Sequence, residues 1–322
     1  MRMWLLAVAV AILGANLISL MGLVDLHRSM YATERFALAS YIVGGFLFGV
    51  GMTLASGCGS RNLVRLGGGS LKALIVLLCL AVSAYMTMKG ILTVPRTHLL
   101  EPLALHLQGG QDLSSVLQRL TGLGRTGIQA SSAAIIALGL LWFAFKDRGF
   151  AANRAYVAAA IVIGLAVAAG WYVTGYVGHL VEDPETLEEV FVATNTKRPE
   201  SFTYVGPVAF SLEWLLLWTD KSLKITFGIA IVAGLFAGAL ADALWTRSFR
   251  LESFASPADL RNHLVGGALM GFGGVTALGC TIGQGITGVS TLALGSFVAW
   301  FAIVRGCVGT NKFLYWRIAN DA

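Results

Sequence analysis

Charged residues are scarce in this sequence. Only 12% of its 322 residues are charged, whereas 56% are hydrophobic, and soluble globular domains carry about 25% charged residues. The deficit extends over the whole length, which argues against a soluble protein and favours a membrane protein. The net charge of +6 comes from basic residues placed singly at the ends of apolar segments. Without a run of lysine or arginine, the sequence offers no nucleic-acid-binding face.

Cysteine is equally scarce, with four residues and no CxxC pair. This spacing excludes a zinc-ligand pattern and a secreted disulfide framework. Cys79 and Cys307 are predicted to be small packing residues. The sequence also contains neither a Walker loop nor an HExxH motif. We therefore expect no catalytic residue, no metal ligand and no cofactor, and a protein that is not an enzyme.

Long apolar runs account for much of the chain. Each approaches the about 20 residues that a helix needs to cross a bilayer. They predict an all-α, multi-pass membrane protein. The runs occupy 3–24, 71–92, 128–146, 155–178, 224–245 and 288–304.

Basic residues in two short loops, 146–154 and 246–262, place these loops on the cytoplasmic side. About eight crossings with both termini inside follow from this orientation. We expect a single membrane domain, residues 1–322, with a first half 1–127 and a second half 128–322.

A glycine-rich block occurs twice. Residues 44–58 read GGFLFGVGMTLASGC, and residues 266–280 read GGALMGFGGVTALGC. Eight positions are identical in one frame, which indicates an internal duplication. In the predicted topology the two copies enter from opposite sides, so they form an inverted repeat. The matched pairs are Gly44/Gly266, Gly45/Gly267, Leu47/Leu269, Gly49/Gly271, Gly51/Gly273, Ala55/Ala277, Gly57/Gly279 and Cys58/Cys280.

Each block predicts an interrupted helix near the membrane centre, where transporters with inverted repeats place their site. Gly57 and Gly279 let the chain turn at the break. Ser60 and Thr281 are predicted N-caps of the half-helices that follow. Free N–H groups at such an N-terminus favour an anion. We therefore expect short re-entrant half-helices with Cys58 and Cys280 beside anion-attracting breaks.

A cysteine thiol suits such a break because it is polarizable and a weak hydrogen-bond donor. Arg61 follows the first break and either attracts an anion or marks the cytoplasmic side. Asn62 and Gln284 occupy matching positions of the repeat and are predicted to be polar wall residues. Glu213, in a short apolar segment, is expected to pair with a base or face water. The predicted pathway residues are Cys58, Cys280, Gly57, Gly279, Ser60, Arg61, Asn62, Thr281 and Gln284.

The two blocks resemble the signature of the YeeE/YedE family of membrane sulfur transporters. The flanking sequences RNLVRLGGGSLKALIVLL and TIGQGITGVSTLALGSFVAW carry the same resemblance. It implies a monomeric helical bundle with inward loops, including the GPVAFSLEW segment. It further implies uptake of thiosulfate or a related sulfur or selenium species, and a small cytoplasmic sulfur-carrier protein as partner. By motif, Cys58 and Cys280 take the family's two central cysteine positions.

One segment departs from the family pattern. Members that import thiosulfate commonly carry a third cysteine in an earlier segment. The corresponding stretch, LHRSMYATERF at 26–36, has none, and Met30 or Tyr31 falls near that place.

The sequence thus predicts a multi-pass transporter of the bacterial inner membrane for a small sulfur-containing anion, most simply thiosulfate. The anion would pass Cys58 and Cys280 by transient hydrogen bonds to neutral thiols. Two alternatives remain: transport of a selenium species or another sulfur compound, and a membrane-bound sulfurtransferase that uses a cysteine persulfide.

Overall fold

The computed structural model describes residues 1–107, 109–122, 124–182 and 189–321, and these are mostly helical. The helices are α1 (Arg2–Leu20), α2 (Leu38–Leu54), α3 (Gly59–Gly67), α4 (Leu71–Lys89), α5 (Thr93–Pro95), α6 (Leu113–Thr121), α7 (Arg125–Phe145), α8 (Arg148–Ala152), α9 (Arg154–Tyr172), α10 (Val205–Leu216), α11 (Phe227–Trp245), α12 (Pro257–Thr276) and α13 (Leu294–Asp321). Single 3-10 turns occupy Leu26–Arg28 and Glu101–Leu103, and π-helical turns occupy Arg96–Leu100, Val173–Val177 and Gly283–Gly288.

Two small antiparallel sheets complete the described secondary structure. Strand β1 (Arg35–Phe36) pairs with β2 (Leu105–His106), and Arg35 lies opposite His106. Strand β3 (His179–Leu180) pairs with β4 (Val190–Phe191), and His179 lies opposite Phe191. An all-α membrane protein is therefore confirmed.

Six segments of the described chain are long and apolar enough to cross a membrane: Arg2–Leu20, Leu38–Gly67, Leu71–Lys89, Arg125–Phe145, Arg154–Val177 and Phe227–Trp245. Five of the predicted apolar runs coincide with these segments. The sixth run, 288–304, does not, because the chain turns at Leu292, where φ is +57°. Helix α13 begins only after this turn and continues into a charged C-terminal part.

The two glycine-rich blocks are the C-terminal parts of longer helices, α2 and α12. The helices before the two breaks are longer than the repeated blocks themselves. Helix α2 already begins at Leu38, and α12 begins at Pro257 behind a Ser256 N-cap. Their ends, by contrast, fall just before the two cysteines, as predicted.

The chain forms two compact units, each built from three separate stretches. Unit 1 comprises Met1–Phe36, Leu105–Phe202 and Gly283–Phe297, and unit 2 comprises Ala37–Ala104, Thr203–Ile282 and Val298–Ala322. The predicted single domain with halves 1–127 and 128–322 stays a prediction.

Unit 1 packs α1 against α7 and α9. A buried polar network crosses its core. The Asn16 amide donates to the carbonyl oxygens of Ile12 and Ser290, at 2.8 and 3.0 Å. Gln129 donates to Asn16 at 3.1 Å, and the fully buried Trp171 ring donates to the Ser290 hydroxyl at 3.0 Å. These partners satisfy polar groups that would be costly to bury alone.

Unit 2 is centred on α12, which packs against α2 and α4. Helices α2 and α12 run antiparallel at very short separation. A Cβ added at Gly44 would lie 2.6 Å from the Ala277 nitrogen, and one at Gly266 would lie 2.8 Å from the Ala55 nitrogen. These two contacts exchange under the repeat, because Gly44 corresponds to Gly266 and Ala55 to Ala277. The pair is therefore related by a local two-fold axis, as inverted repeats are.

The same symmetry extends to the next helices. A Cβ at Gly45 would lie 2.7 Å from the Ala299 oxygen of α13, and one at Gly267 would lie 2.8 Å from the Val76 oxygen of α4. Helices α4 and α13 thus occupy corresponding places beside the two glycine helices. Each block and the helix after its half-helix form one copy of the duplication.

Candidate functional site at the two cysteine breaks

Both glycine helices end in the same turn. The Gly57 N–H donates to the Met52 oxygen, and the Gly279 N–H donates to the Gly274 oxygen, each at 2.8 Å. The residue before each glycine is left-handed, with φ +58° at Ser56 and +59° at Leu278. This is the Schellman ending of a helix, here with a non-glycine residue at the left-handed position. Such backbone conformations cost free energy and cluster at functional sites.

Cys58 follows the first turn in extended conformation and is the N-cap residue of α3. The prediction that Ser60 caps this helix was wrong. The Schellman turn already ends at Gly57, so the first extended residue is Cys58, and Ser60 lies within the first helical turn. Its hydroxyl is 3.3 Å from the Cys58 sulfur. The half-buried Cys58 thiol therefore lies next to a second neutral hydrogen-bonding group.

Asn62 fixes the first break from one turn further along α3. Its amide nitrogen donates to the Gly57 oxygen at 2.8 Å and to the Cys58 oxygen at 3.1 Å. The side chain is fully buried. Its amide is committed to the backbone of the break, so Asn62 positions Cys58.

Cys280 follows the second turn and is fully buried. The prediction that Thr281 caps the second half-helix was wrong as well, because Thr281 is already helical and Cys280 is the last residue before the helix. The helical conformation passes into the π-helical turn Gly283–Gly288. The Thr281 hydroxyl donates to the Met52 sulfur at 3.6 Å, which brings the second break beside the end of α2. Gln284 lies in the π-helical turn and belongs to unit 1, where it is fully buried. Turns of this kind are frequent at functional sites.

Tyr204 joins the two breaks and was not predicted. The thiols of Cys280 and Cys58 both lie within electrostatic range of its phenol. A Cβ added at Gly59 would lie 3.8 Å from the Tyr204 Cβ, and one at Gly274 would lie 2.6 Å from Val205. The start of α10 therefore packs against both breaks within unit 2. The only sequence signal was the short GPVAFSLEW segment that follows this tyrosine.

Arg61 places a positive charge at the first break. Its side chain lies over Gly57, and an added Cβ there would come within 2.8 Å of the Arg61 Cδ. The residue is exposed. Among the described residues it forms no ion pair, so its charge is available to a solute.

The remaining predicted positions lie elsewhere. Met30 and Tyr31 are in unit 1, where the buried Tyr31 packs edge-on to Trp171 at 6.3 Å between ring centroids. Glu213 accepts from Lys89 at 2.7 Å and from Tyr85 at 2.9 Å, which confirms that it pairs with a base. In the part of the chain that the structure describes, no three His, Cys, Asp or Glu side chains come together as metal ligands.

Chemically, the breaks bring together weak hydrogen-bond donors. They provide the thiols of Cys58 and Cys280, the hydroxyl groups of Ser60 and Thr281, and the Tyr204 phenol. The first N–H groups of α3 add a positive helix end. This set suits an anion that binds briefly and leaves.

A family model described as "Sulphur transport" matches residues 1–309. The chain belongs to this family of YeeE/YedE membrane proteins. It is 29% identical to the thiosulfate transporter TsuA of Spirochaeta thermophila over 285 residues, which cover 84% of this chain and 76% of that protein. It is 24% identical to TsuA of Escherichia coli over 310 residues, 91% of this chain and 79% of the relative.

A shorter match joins the chain to the probable transporter YedE of Escherichia coli. That match is 30% identical over 80 residues, 25% of this chain and 19% of YedE. The family and the names of these relatives support sulfur transport by a multi-pass membrane protein, and point away from an enzyme.

Proposed function

We propose that this protein imports thiosulfate across the bacterial inner membrane, and that the anion passes Cys58 and Cys280 through transient hydrogen bonds. One observation carries the proposal: two cysteines stand at equivalent breaks of an inverted repeat, and one side chain, Tyr204, lies near both thiols. The two relatives that are thiosulfate transporters suggest the substrate.

Hydrogen bonds to neutral thiols suit passage because they are weak. A conducting site must bind well enough to admit the solute and loosely enough to release it. Thiosulfate has a polarizable terminal sulfur, which the soft thiol groups of Cys58 and Cys280 match. Arg61 raises the local anion concentration without enclosing the solute, because its side chain is exposed.

A membrane sulfurtransferase requires a different local chemistry. A cysteine that takes up sulfur as a persulfide must be an activated thiolate. The contact of the Cys58 sulfur with the neutral Ser60 hydroxyl does not supply this activation. Delivery of the imported anion to a small cytoplasmic sulfur-carrier protein completes the proposal and follows from the family resemblance alone.

Growth rescue tests the proposal. A bacterium without its own sulfate and thiosulfate uptake would express the wild type, Cys58→Ala or Cys280→Ala, with thiosulfate as sole sulfur source. We expect the wild type to restore growth and each variant to abolish it at equal expression. Growth of the double variant at the wild-type rate would refute the cysteine pathway. A persulfide or thiosulfonate on either cysteine, found by mass spectrometry after exposure to thiosulfate, would favour the sulfurtransferase.

A further inference from the structure

Three carboxyl groups of the described residues are buried, and two of them have basic partners. Asp112 is 3.1 Å from the His27 ring nitrogen and 3.8 Å from Arg125. Glu213 is 2.7 Å from Lys89. A buried carboxylate with such a partner keeps its charge.

Glu200 is the third, and its surroundings are different. It is 5% exposed, and its carboxyl group accepts one hydrogen bond, from the Thr196 hydroxyl at 3.2 Å. No cation of the described residues forms an ion pair with it. A buried acid of this kind is stable mainly in its neutral, proton-bound form.

The backbone holds this carboxyl group in place. The Thr174 hydroxyl donates to the backbone carbonyl oxygen of Glu200 at 2.5 Å and accepts from the backbone N–H of Glu200 at 3.2 Å. The next residue, Ser201, donates to the Val167 oxygen at 2.7 Å. The segment is thus fastened to α9 and the π-helical turn after it, which holds the Glu200 side chain in its buried position.

The charged groups around this segment leave Glu200 uncompensated. Lys197 and Arg198 of the same loop are exposed, and His179 of β3 is paired with Glu189. The turn Val173–Val177 contributes the phenol of Tyr176. The π-helical turn Gly283–Gly288, whose Thr287 donates to the Phe202 oxygen at 2.7 Å, contains no titratable side chain.

Burial raises the pKa of Glu200 from 4.5 to about 7, and the Thr196 hydrogen bond opposes this rise only in part. Because the pKa is raised, the proton is bound below about pH 7 and lost above it. This range lies where an acidic exterior and a neutral cytoplasm differ. Its protonation state therefore responds to a pH difference in this range.

An anion entering a cell needs an energy source. Its charge moves against the inside-negative membrane potential, at a cost proportional to charge and potential. The sequence has no Walker loop to bind ATP. Proton binding by a buried carboxyl group would provide the coupling.

We propose that Glu200 is a proton-binding site that couples anion uptake to inward proton movement, an inference that rests on the proposed function. The proton moves from the outer solution to a Glu200 carboxylate oxygen and from there to the cytoplasm. No bond of the anion changes. Glu200 stands four residues before Tyr204 in the sequence.

Transport in liposomes tests this assignment. The full-length protein is reconstituted, the membrane potential is clamped to zero, and the outside is set to about pH 6 and the inside to about pH 8, on either side of the Glu200 pKa of about 7. Labelled thiosulfate and internal pH are followed together. Glu200→Gln mimics the neutral form and cannot release a proton. Glu252→Gln, whose side chain is 59% exposed, is the matched control.

The wild type and Glu252→Gln are expected to accumulate thiosulfate and acidify the lumen. Glu200→Gln is expected to lose both by tenfold or more, while it still exchanges labelled for unlabelled thiosulfate at equal pH. Accumulation and acidification by Glu200→Gln at the wild-type rate would overturn the proposal. Absence of exchange in the wild type would instead refute the proposed function on which it rests.

A second measurement needs no variant. Coupled uptake by the wild type, measured as the outer pH is raised, should fall through about pH 7, because Glu200 no longer loads a proton. A rate independent of pH in this range would contradict the assignment even if Glu200→Gln failed to fold.

Discussion

Asn62 shows at the scale of a single residue how the first break is held. Its amide donates to the Gly57 carbonyl, which lies between the end of α2 and the start of α3. It also donates to the Cys58 carbonyl, which accepts a backbone hydrogen bond from the Asn62 N–H at 2.9 Å as well. Each buried carbonyl left without a donor costs about 1–3 kcal/mol. One side chain thus stabilises an interruption that the backbone alone would not maintain, and it fixes the direction of the Cys58 side chain.

Asn62→Ala is therefore expected to release Cys58. The Gly57 carbonyl loses its side-chain donor, while the Cys58 carbonyl keeps only the backbone N–H of position 62. Thiosulfate uptake should therefore fall about tenfold or more, as for a loss of 1.4 kcal/mol or more. The Cys58 thiol should react faster with a maleimide. Asn311→Ala, an exposed position on α13, is the control and should leave both readouts unchanged. Wild-type uptake and labelling in Asn62→Ala would show that Asn62 does not position the cysteine.

At the scale of the elements, the close pairing of α2 and α12 sets the position of both breaks. The two helices touch through glycine backbones and run antiparallel. Ala55, just before the first turn, therefore lies beside Gly266, and Ala277, just before the second turn, lies beside Gly44. Leucine or valine at these positions would hold the axes at the usual 8–10 Å. The glycines are thus required by packing, whereas the change of chain direction occurs at Ser56 and Leu278.

Gly273→Ala tests this pairing. The new Cβ would lie 2.6 Å from the Gly44 oxygen and 2.6 Å from the Phe48 nitrogen. Both are backbone atoms that cannot move aside, so we expect a loss of about 1–3 kcal/mol and a lower melting temperature in detergent. Gly234→Ala on α11 is the matched control, because nothing lies within 4 Å of its Cβ. It should be neutral or slightly stabilising, since alanine favours a helix. Equal melting temperatures for the two variants would contradict the packing role.

At the scale of the whole molecule, the sequence predicted the features that depend on short stretches of the chain. Most of the apolar runs, the repeated blocks and the helix ends just before Cys58 and Cys280 could be predicted, because they depend on residue type and spacing. Capping preferences failed at Ser60, since they rank serine above cysteine but do not anticipate where the preceding turn ends. Tyr204 was not predicted as a site residue, because its position near the thiols depends on how α10 packs. The two compact units, each built from three separate stretches of the chain, cannot be predicted from hydropathy. Hydropathy contains no information on contacts between distant segments.

Each copy of the duplication contributes one cysteine to the proposed pathway. If Cys58 and Cys280 act in sequence on one anion, neither can replace the other, although they stand at equivalent turns. Cys307 offers a test of specificity. Gly49 packs against the backbone of Ile303 and Cys307, and its repeat counterpart Gly271 packs against the backbone of Leu80 and Ala84. Ala84 is therefore the repeat counterpart of Cys307.

The most direct measurement is uptake of labelled thiosulfate by the purified protein in liposomes, with wild type, Cys58→Ala, Cys280→Ala and Cys307→Ala compared at equal incorporation. The account predicts that Cys307→Ala transports like the wild type and that each of the other two loses uptake by tenfold or more. Uptake at the wild-type rate in either Cys58→Ala or Cys280→Ala would contradict it.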